Sequence, residues 1–381
     1  MYKIGIDGHM LGDHSGGNES YYSNILRYMV VPKDCKVYLF VKPDVDVSEY
    51  EGKFEIIQFK SKNALLRNFW ELTELCKKYE LDLLHTQYFI PFVRPCKVVC
   101  TIHDICFEHY KDIFTKKEYY RQKILVPYAA KYSTYVFTVS NHAKKDIVEH
   151  YGILPSRTVV TYNAVNDLFR VLSESELNNE ELRTKFQIGN VPYVLSVCNL
   201  QPRKNLVRLI RSFILMKKKY GGFERLVIVG KKAWMFNDIL KTALEGNADI
   251  LFTDYVCNKD LIRLYNAADC FVYPSFFEGF GIPPLEAMAC GTPVVVSNAT
   301  SLPEVVGDAG LYFDPYNEEE MTEAIHRMLI DTELKHHLRE KGFLQVSKFS
   351  WKKSAKIITD IYINALNNIE RKSKSKEVVY E

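Results

Sequence analysis

The chain has 381 residues, 47% of them hydrophobic and 25% charged, with a formal net charge of +3. This is a globular composition, long enough for two domains, and it excludes a fibrous, disordered or membrane-embedded chain. The small positive surplus gives no ground for nucleic-acid binding, and the cysteines form no CxxC pair or His/Cys cluster at zinc spacing, as expected in a reducing cytosol without a structural metal.

The amino terminus, MYKIGIDGHML, lacks a signal-peptide layout, and no apolar run reaches spanning length. A cytoplasmic protein is expected, at most peripheral to the inner face of the plasma membrane. Tyr2 to Asp7 read as a strand. Gly8, Gly12, Gly16 and Gly17 then break the chain until a helix starts near Asn18. The spacing is not that of the dinucleotide fingerprint. Gly16 and Gly17 would still bring bare backbone N–H groups to a helix start, where a phosphate or sugar hydroxyl fits; a plain turn is the competing reading.

Lys36 to Val41 and Phe54 to Phe59 are further strands. Residues 63–79 predict an amphipathic helix with Leu65, Leu66, Phe69, Leu72 and Leu75 on one face. Leu81 to His85 and Lys97 to Ile102 are buried strands, the second ending in His103-Asp104. A His-Asp pair at a strand's carboxyl end lies where ligand chemistry sits, or is simply a hydrogen-bonded strand end. Residues 111–131 mix Lys111, Lys116, Lys117, Arg121, Lys123 and Lys131 with aromatic and aliphatic side chains. Such a face suits an anionic lipid surface, although a solvated helix face is the stronger reading. Strands over 134–139 and 158–162 complete this half.

Residues 170–190 are polar and acidic and hold no sheet strand, which marks a domain boundary. Alternation then restarts with strand 193–198, helix 205–219, strand 225–229, helix 235–245, strand 249–253 and helix 258–267. Strand 193–198 ends in Asn199, and Arg203 and Lys204 follow at a helix start. Cations there oppose the helix dipole. A bound polyanion would reconcile them, Arg203 gripping with two donors and Lys204 acting as a point charge. Alone, the pair would read as an exposed basic turn.

The stretch 269–297 carries the most information. An apolar run, Cys270 to Tyr273, stops at Pro274-Ser275. A loop with Glu278, Gly279 and Gly281 follows, then Pro283 and Pro284 at a helix start, Gly291 at its end, and a second β-branched run to Ser297. This is a βαβ unit whose loop lies at the ligand-binding end of a parallel sheet. Glu278 on the loop and Glu286 in the helix can both face one crevice, beside N–H groups that favour an anion. Strand 310–313, helices 318–330 and 332–345, a terminal helix over about 349–368 and a disordered tail, 369–381, close the chain.

These motifs, SFFEGFGIPPLEAMACGTPVVVS at 275–297, LQPRKN at 200–205, TVSNHAKKDI at 138–147, Gly16-Gly17 and His103-Asp104, resemble those of the retaining GT-B glycosyltransferases of family 4. The resemblance covers nearly the whole chain. It implies two Rossmann-like parallel-sheet domains facing a cleft. An acceptor-binding domain would span 1–168, with the terminal helix crossing back to it, and a donor-binding domain 169–348.

The resemblance also implies the roles. Glu278 would lie by the donor sugar, and Glu286 would accept from the nucleotide ribose. Lys204, supported by Arg203, would clamp the diphosphate, with Phe280, Gly281 and Ile282 offering backbone N–H groups. His103 would touch the donor sugar, Gly16 and Gly17 would approach donor and acceptor, and the base would bind main chain near Tyr255 and Val256. The chain departs from the family pattern at Asn199, where an arginine is usual, and at Cys198 and Asp254, where glycines are usual.

The implied reaction is metal-independent, cofactor-free transfer of a hexosyl group. The donor is a nucleoside-diphosphate sugar, UDP-hexose ahead of GDP-mannose. The acceptor is a glycan or lipid-linked glycan of surface polysaccharide biosynthesis. Three alternatives compete: a metal-dependent GT-A transferase using Asp44-Val45-Asp46, a sugar-nucleotide 2-epimerase of similar architecture, and a non-catalytic sugar-nucleotide-binding subunit.

Overall fold

A computed structural model of the chain describes residues 1–12, 16–231, 237–245 and 249–377. The described residues divide into two compact units, Met1–Asn163 together with the chain from Ser350 onward, and Ala164–Phe349. The limits implied by the family resemblance are 168/169 and 348/349, and the composition shift lies at 170–190.

Among the described residues the first unit holds a seven-stranded parallel sheet in the order β3-β2-β1-β4-β5-β6-β7. Its strands are β1 (Tyr2–Asp7), β2 (Cys35–Val41), β3 (Glu55–Gln58), β4 (Leu83–Gln87), β5 (Lys97–Thr101), β6 (Tyr135–Thr138) and β7 (Thr158–Val160). The second unit holds six parallel strands in the order β10-β9-β8-β11-β12-β13, namely β8 (Tyr193–Val197), β9 (Arg225–Val229), β10 (Ile250–Phe252), β11 (Cys270–Tyr273), β12 (Val294–Ser297) and β13 (Gly310–Phe313). Central strands such as β11 and β12 are buried along their whole length. That is why they read as unbroken apolar runs rather than as alternating ones. Each order reverses next to its first strand, so each sheet has a switch point at its carboxyl edge. The layout is that of two doubly wound α/β domains.

The terminal helix Trp351–Glu377 belongs to the first unit. Tyr362 is buried against His85 of β4, Ser354 donates to the Tyr162 carbonyl at 2.6 Å, and Lys97 Nζ reaches the Ala365 carbonyl at 2.7 Å. The helix runs past residue 368, so 369–377 are helical where a disordered tail was expected. That segment contains no glycine or proline to stop the helix. Residues 378–381 of the expected tail and 235–236 of an expected helix lie outside the described residues, and residue 249 precedes β10.

One predicted face is wrong. Within 63–79 the chain forms a short helix Ala64–Leu66, a π turn Arg67–Glu71 and a helix Leu72–Lys78. The wider turn shifts the phase of the periodicity. Leu65 and Leu66 are therefore exposed while Leu72 and Leu75 are buried, and Arg67 and Asn68 turn inward.

Candidate functional site

The carboxyl ends of β8 and β11 bring the basic pair and the acidic loop together. After β8 the chain makes a single 3-10 turn, Pro202–Lys204, and Asn205 takes a left-handed conformation (φ 57°) before helix Leu206–Tyr220. Its amide donates to the Pro274 and Pro315 carbonyls at 3.0 and 2.8 Å, which locks the turn against the end of β11. Lys204 Nζ then lies 2.5 Å from Glu278 Oε1 and 2.7 Å from the Tyr273 hydroxyl. Arg203 donates to Glu278 Oε2 at 2.9 Å and to the Phe277 carbonyl at 2.6 Å.

The loop carrying Glu278 is held from the other side. The Glu278 backbone N–H donates to Thr300 Oγ1 at 3.0 Å, and Ser301 Oγ donates to the carbonyls of Glu278 and Phe280 at 2.9 and 2.8 Å. Sequence reasoning missed Tyr273, Thr300 and Ser301. Tyr273 resembles any core aromatic, whereas Thr300 and Ser301 follow β12 at the same sheet edge, which was the one available signal.

Two cations thus face one carboxylate in a buried cluster. Burial alone would raise the Glu278 pKa, but the Arg203 and Lys204 charges outweigh it and hold the carboxyl at about 2. Burial, and then the Arg203 charge, hold the Lys204 ammonium below its usual value, partly offset by Glu278. The cluster keeps a surplus positive charge, and a polyanion would neutralise it.

Gly281 (φ 102°) starts helix Ile282–Ala289, with prolines at its first positions. A Cβ there would sit 2.7 Å from Leu302 Cδ2, so the turn needs glycine. Phe280 is buried, and the helix start at Ile282 lies beside the Glu278 loop. Glu286 does not share the cation cluster. It accepts from the Tyr265 hydroxyl at 2.9 Å, and burial pushes its pKa up to about 7. The two carboxylates expected to face one crevice have different partners and opposite charge preferences.

Asn199 is exposed just beyond β8, with the backbone beside it packed tightly: Gly230 lies so close that a Cβ on it would fall 1.8 Å from the Cys198 carbonyl oxygen. Asp254 adopts φ 55° and so takes the left-handed conformation for which a glycine is usual. Tyr255 is exposed under the Lys231 ammonium, 4.7 Å from its ring centroid, and Val256 is buried.

In the first unit, His103 follows β5 and is buried, its ring edge-on to Tyr21 at 4.9 Å and 5.7 Å from Tyr88. Burial holds its pKa at about 3, so the imidazole is neutral. Its Nε2 is buried without a hydrogen-bond partner. Gly16 and Gly17 stand at the start of helix Gly17–Tyr28, and a Cβ on either would meet none of the described residues within 4 Å. Asp46 accepts from the Ser48 N–H and hydroxyl at 3.0 and 2.7 Å, and so caps a turn rather than facing Asp44. Among the described residues no three His, Cys, Asp or Glu side chains converge in a group able to hold a metal ion, and no described helix is long and apolar enough to cross a membrane.

Two family models match the chain, "Glycosyl transferases group 1" over residues 178–345 and "Glycosyltransferase Family 4" over 15–167. The chain is 33% identical over 294 residues to O-antigen chain mannosyltransferase B of Escherichia coli, covering 75% of this chain and 74% of that one. It is 29% identical over 282 residues to the serotype-specific mannosyltransferase WbdA of Escherichia coli, covering 72% of this chain but only 34% of WbdA, so it spans about a third of that relative. The crystal structure of Anabaena Alr3699/HepE in complex with UDP-glucose is similar in fold, with a TM-score of 0.73 at 19% identity over 96% of this chain and 100% of that one.

Proposed function

The chain belongs to the group 1 glycosyl transferases, and we propose that it moves a hexosyl group from a nucleoside-diphosphate sugar to a glycan or lipid-linked glycan in surface polysaccharide biosynthesis. The observation that carries this reading is the buried Arg203–Glu278–Lys204 cluster, with more positive than negative charge at a sheet's carboxyl edge. A diphosphate leaving group supplies the charge it lacks. Between the two donors expected from sequence, UDP-hexose and GDP-mannose, this reading takes GDP-mannose, because relatives 29% and 33% identical to the chain are named mannosyltransferases.

In this reading Lys204 and Arg203 hold the diphosphate, aided by the N–H groups at Phe280, Gly281 and Ile282. The bond from the anomeric carbon to the diphosphate oxygen breaks with its electron pair leaving on oxygen. The cations stabilise that charge as it develops; removing one such group raises the barrier by about 3–4 kcal/mol. Glu278 orients both cations and lies by the sugar. Glu286 accepts from the ribose, the base lies on main chain near Tyr255 and Val256, Gly16 and Gly17 approach donor and acceptor, and Arg203 takes up the diphosphate where Asn199 replaces the usual arginine. The neutral His103 ring offers Nε2 to a sugar hydroxyl. With no side chain assigned as nucleophile, the acceptor oxygen attacks on the leaving-group face and passes its proton to the departing phosphate, with retention. The cations do the work that a divalent metal does in other transferases.

Lys204→Ala is expected to abolish transfer while the far-UV spectrum stays that of the folded wild type. Near-normal turnover would defeat the assignment. Incubating donor alone and finding an epimer would favour the 2-epimerase, and donor affinity without turnover the binding subunit. Proton NMR of the product's anomeric configuration tests retention.

An anionic lipid surface is the further partner of this reading, supported by helix Lys116–Tyr132, which leaves Lys117, Tyr120, Arg121 and Ile124 exposed one above another. Arg121→Glu should reduce sedimentation with phosphatidylglycerol vesicles and leave phosphatidylcholine binding unchanged. Equal sedimentation with both in the wild type would exclude it.

A further inference from the structure

Arg67 is 6% exposed. Its Nε is buried without a hydrogen-bond partner, and no described residue forms an ion pair with its guanidinium. The Phe59 ring lies against it, 5.6 Å from Cζ to centroid. The adjacent Asn68 is also buried, and its Oδ1 also lacks a partner. Both lie on the π turn Arg67–Glu71, a form of helix distortion frequent at functional sites.

The location is informative. The guanidinium charge acts on Asp7, the last residue of β1, and on Lys42, which follows β2, while Phe59 follows β3. Arg67 therefore sits at the carboxyl edge of three neighbouring parallel strands, where such sheets take ligands. The Asp7 carboxylate is already engaged, bonded to His9 Nδ1 at 2.8 Å and to the His9 N–H at 3.2 Å. Keeping a guanidinium out of water with no anion at ion-pair distance is costly.

We propose that Arg67 is an oxyanion-binding residue of the acceptor site, gripping a phosphate ester or carboxylate on the acceptor sugar while Asn68 Oδ1 accepts from a neighbouring sugar hydroxyl. The planar fork of arginine matches either oxyanion with two donors, and an acidic or phosphorylated sugar satisfies both orphaned atoms together. This rests on the reading of the first unit as the acceptor-binding domain.

The test is a thermal-shift titration of the full chain and of Arg67→Met, with inorganic phosphate in one arm and glucuronate in the other. Anion bound near Arg203 and Lys204 contributes equally to both proteins and cancels in the difference. Without anion, Arg67→Met is expected to melt at or above wild type, because an uncompensated charge is gone. The anion-dependent rise attributable to Arg67 should weaken at least tenfold in apparent affinity. A loss in the phosphate arm alone identifies a phosphorylated acceptor, and a loss in the glucuronate arm alone a uronic one. Should Arg67→Met fail to fold, Arg67→Lys carries the same comparison, since it keeps charge and loses the fork. An Arg67→Met or Arg67→Lys protein with an unchanged anion response overturns the proposal, as does a variant that melts lower yet responds fully. Binding of UDP and GDP is measured alongside: failure of wild type to bind either would count against the donor reading and leave the Arg67 result standing.

Discussion

Lys204 Nζ and Glu278 Oε1 lie 2.5 Å apart, with less than a tenth of either side chain open to solvent. Arg203 shares the same carboxylate, so Glu278 neutralises half of the charge around it. Glu278→Gln would leave two buried cations facing a neutral amide. We expect a stability loss of about 3 kcal/mol or more, read as a lower melting temperature. A nucleoside diphosphate should recover more of that loss in the variant than it adds to wild type, because it supplies the missing negative charge. The carboxyl pKa of about 2 lies below its ordinary value of 4.5. Its stabilisation is therefore present above pH 4.5 and lost as pH falls through about 2. Acid unfolding of Glu278→Gln should lack that component. Identical acid curves would show that the ion pair contributes nothing net.

Glu286 titrates in the opposite sense. Its pKa of about 7 lies above the ordinary 4.5, so the folded chain takes up a proton between those values and stability falls as pH rises through that window. The total is at most about 3 kcal/mol, less because part of the residue is open to water. A carboxylate that accepts from ribose hydroxyls must be ionised. Nucleotide affinity is thus expected to rise as pH goes from 6 to 8, with a proton released on binding below pH 7. Calorimetry in buffers of different ionisation enthalpy measures that release, and Glu286→Gln should bind more weakly with no pH dependence. A wild-type affinity flat across this range would separate Glu286 from the nucleotide.

The βαβ unit at 269–297 was legible because its signals are local. Fully buried strands read as apolar runs, and Pro283, Gly281 and Gly291 punctuate the helix. The partnership of Lys204 with Glu278 spans 74 positions of sequence, and no spacing rule reaches that far. Arg203 and Lys204 were recognisable as misplaced cations at a helix start, but only the sheet order shows which carboxylate answers them. The face of 63–79 was misread because a π turn leaves no mark in composition, and that one extra residue carries Arg67 inward. Asp254 holds the glycine-like backbone with φ 55°, so this departure from the family pattern keeps the local geometry that a glycine would take.

Metal dependence gives a separate test. If Arg203, Lys204 and the helix start at Ile282 stabilise the leaving diphosphate, transfer should proceed at its full rate in excess EDTA. Added magnesium or manganese should then change the rate by less than about twofold, against the hundredfold or greater effect of losing a preorganised charge. Loss of activity in EDTA, restored by one divalent ion, would replace this assignment with a metal-assisted one.

His103 brings stability and function into opposition. Its Nε2 is buried and unpartnered, and the ring stays neutral because its pKa is held near 3 by burial. An unpaired buried polar atom costs about 1–3 kcal/mol. His103→Phe keeps a flat ring edge-on to Tyr21 and removes that atom, so the unliganded chain should gain about 1 kcal/mol and melt higher. If Nε2 meets a hydroxyl of the donor sugar, the same change should cut kcat by about tenfold or more, with KM for the nucleotide sugar less affected than kcat. The pH profile of wild-type turnover above pH 5 should show no inflection attributable to this residue, since it does not titrate there. A His103→Phe variant that melts lower and turns over normally would make the histidine a structural one, its Nε2 satisfied by water rather than by substrate.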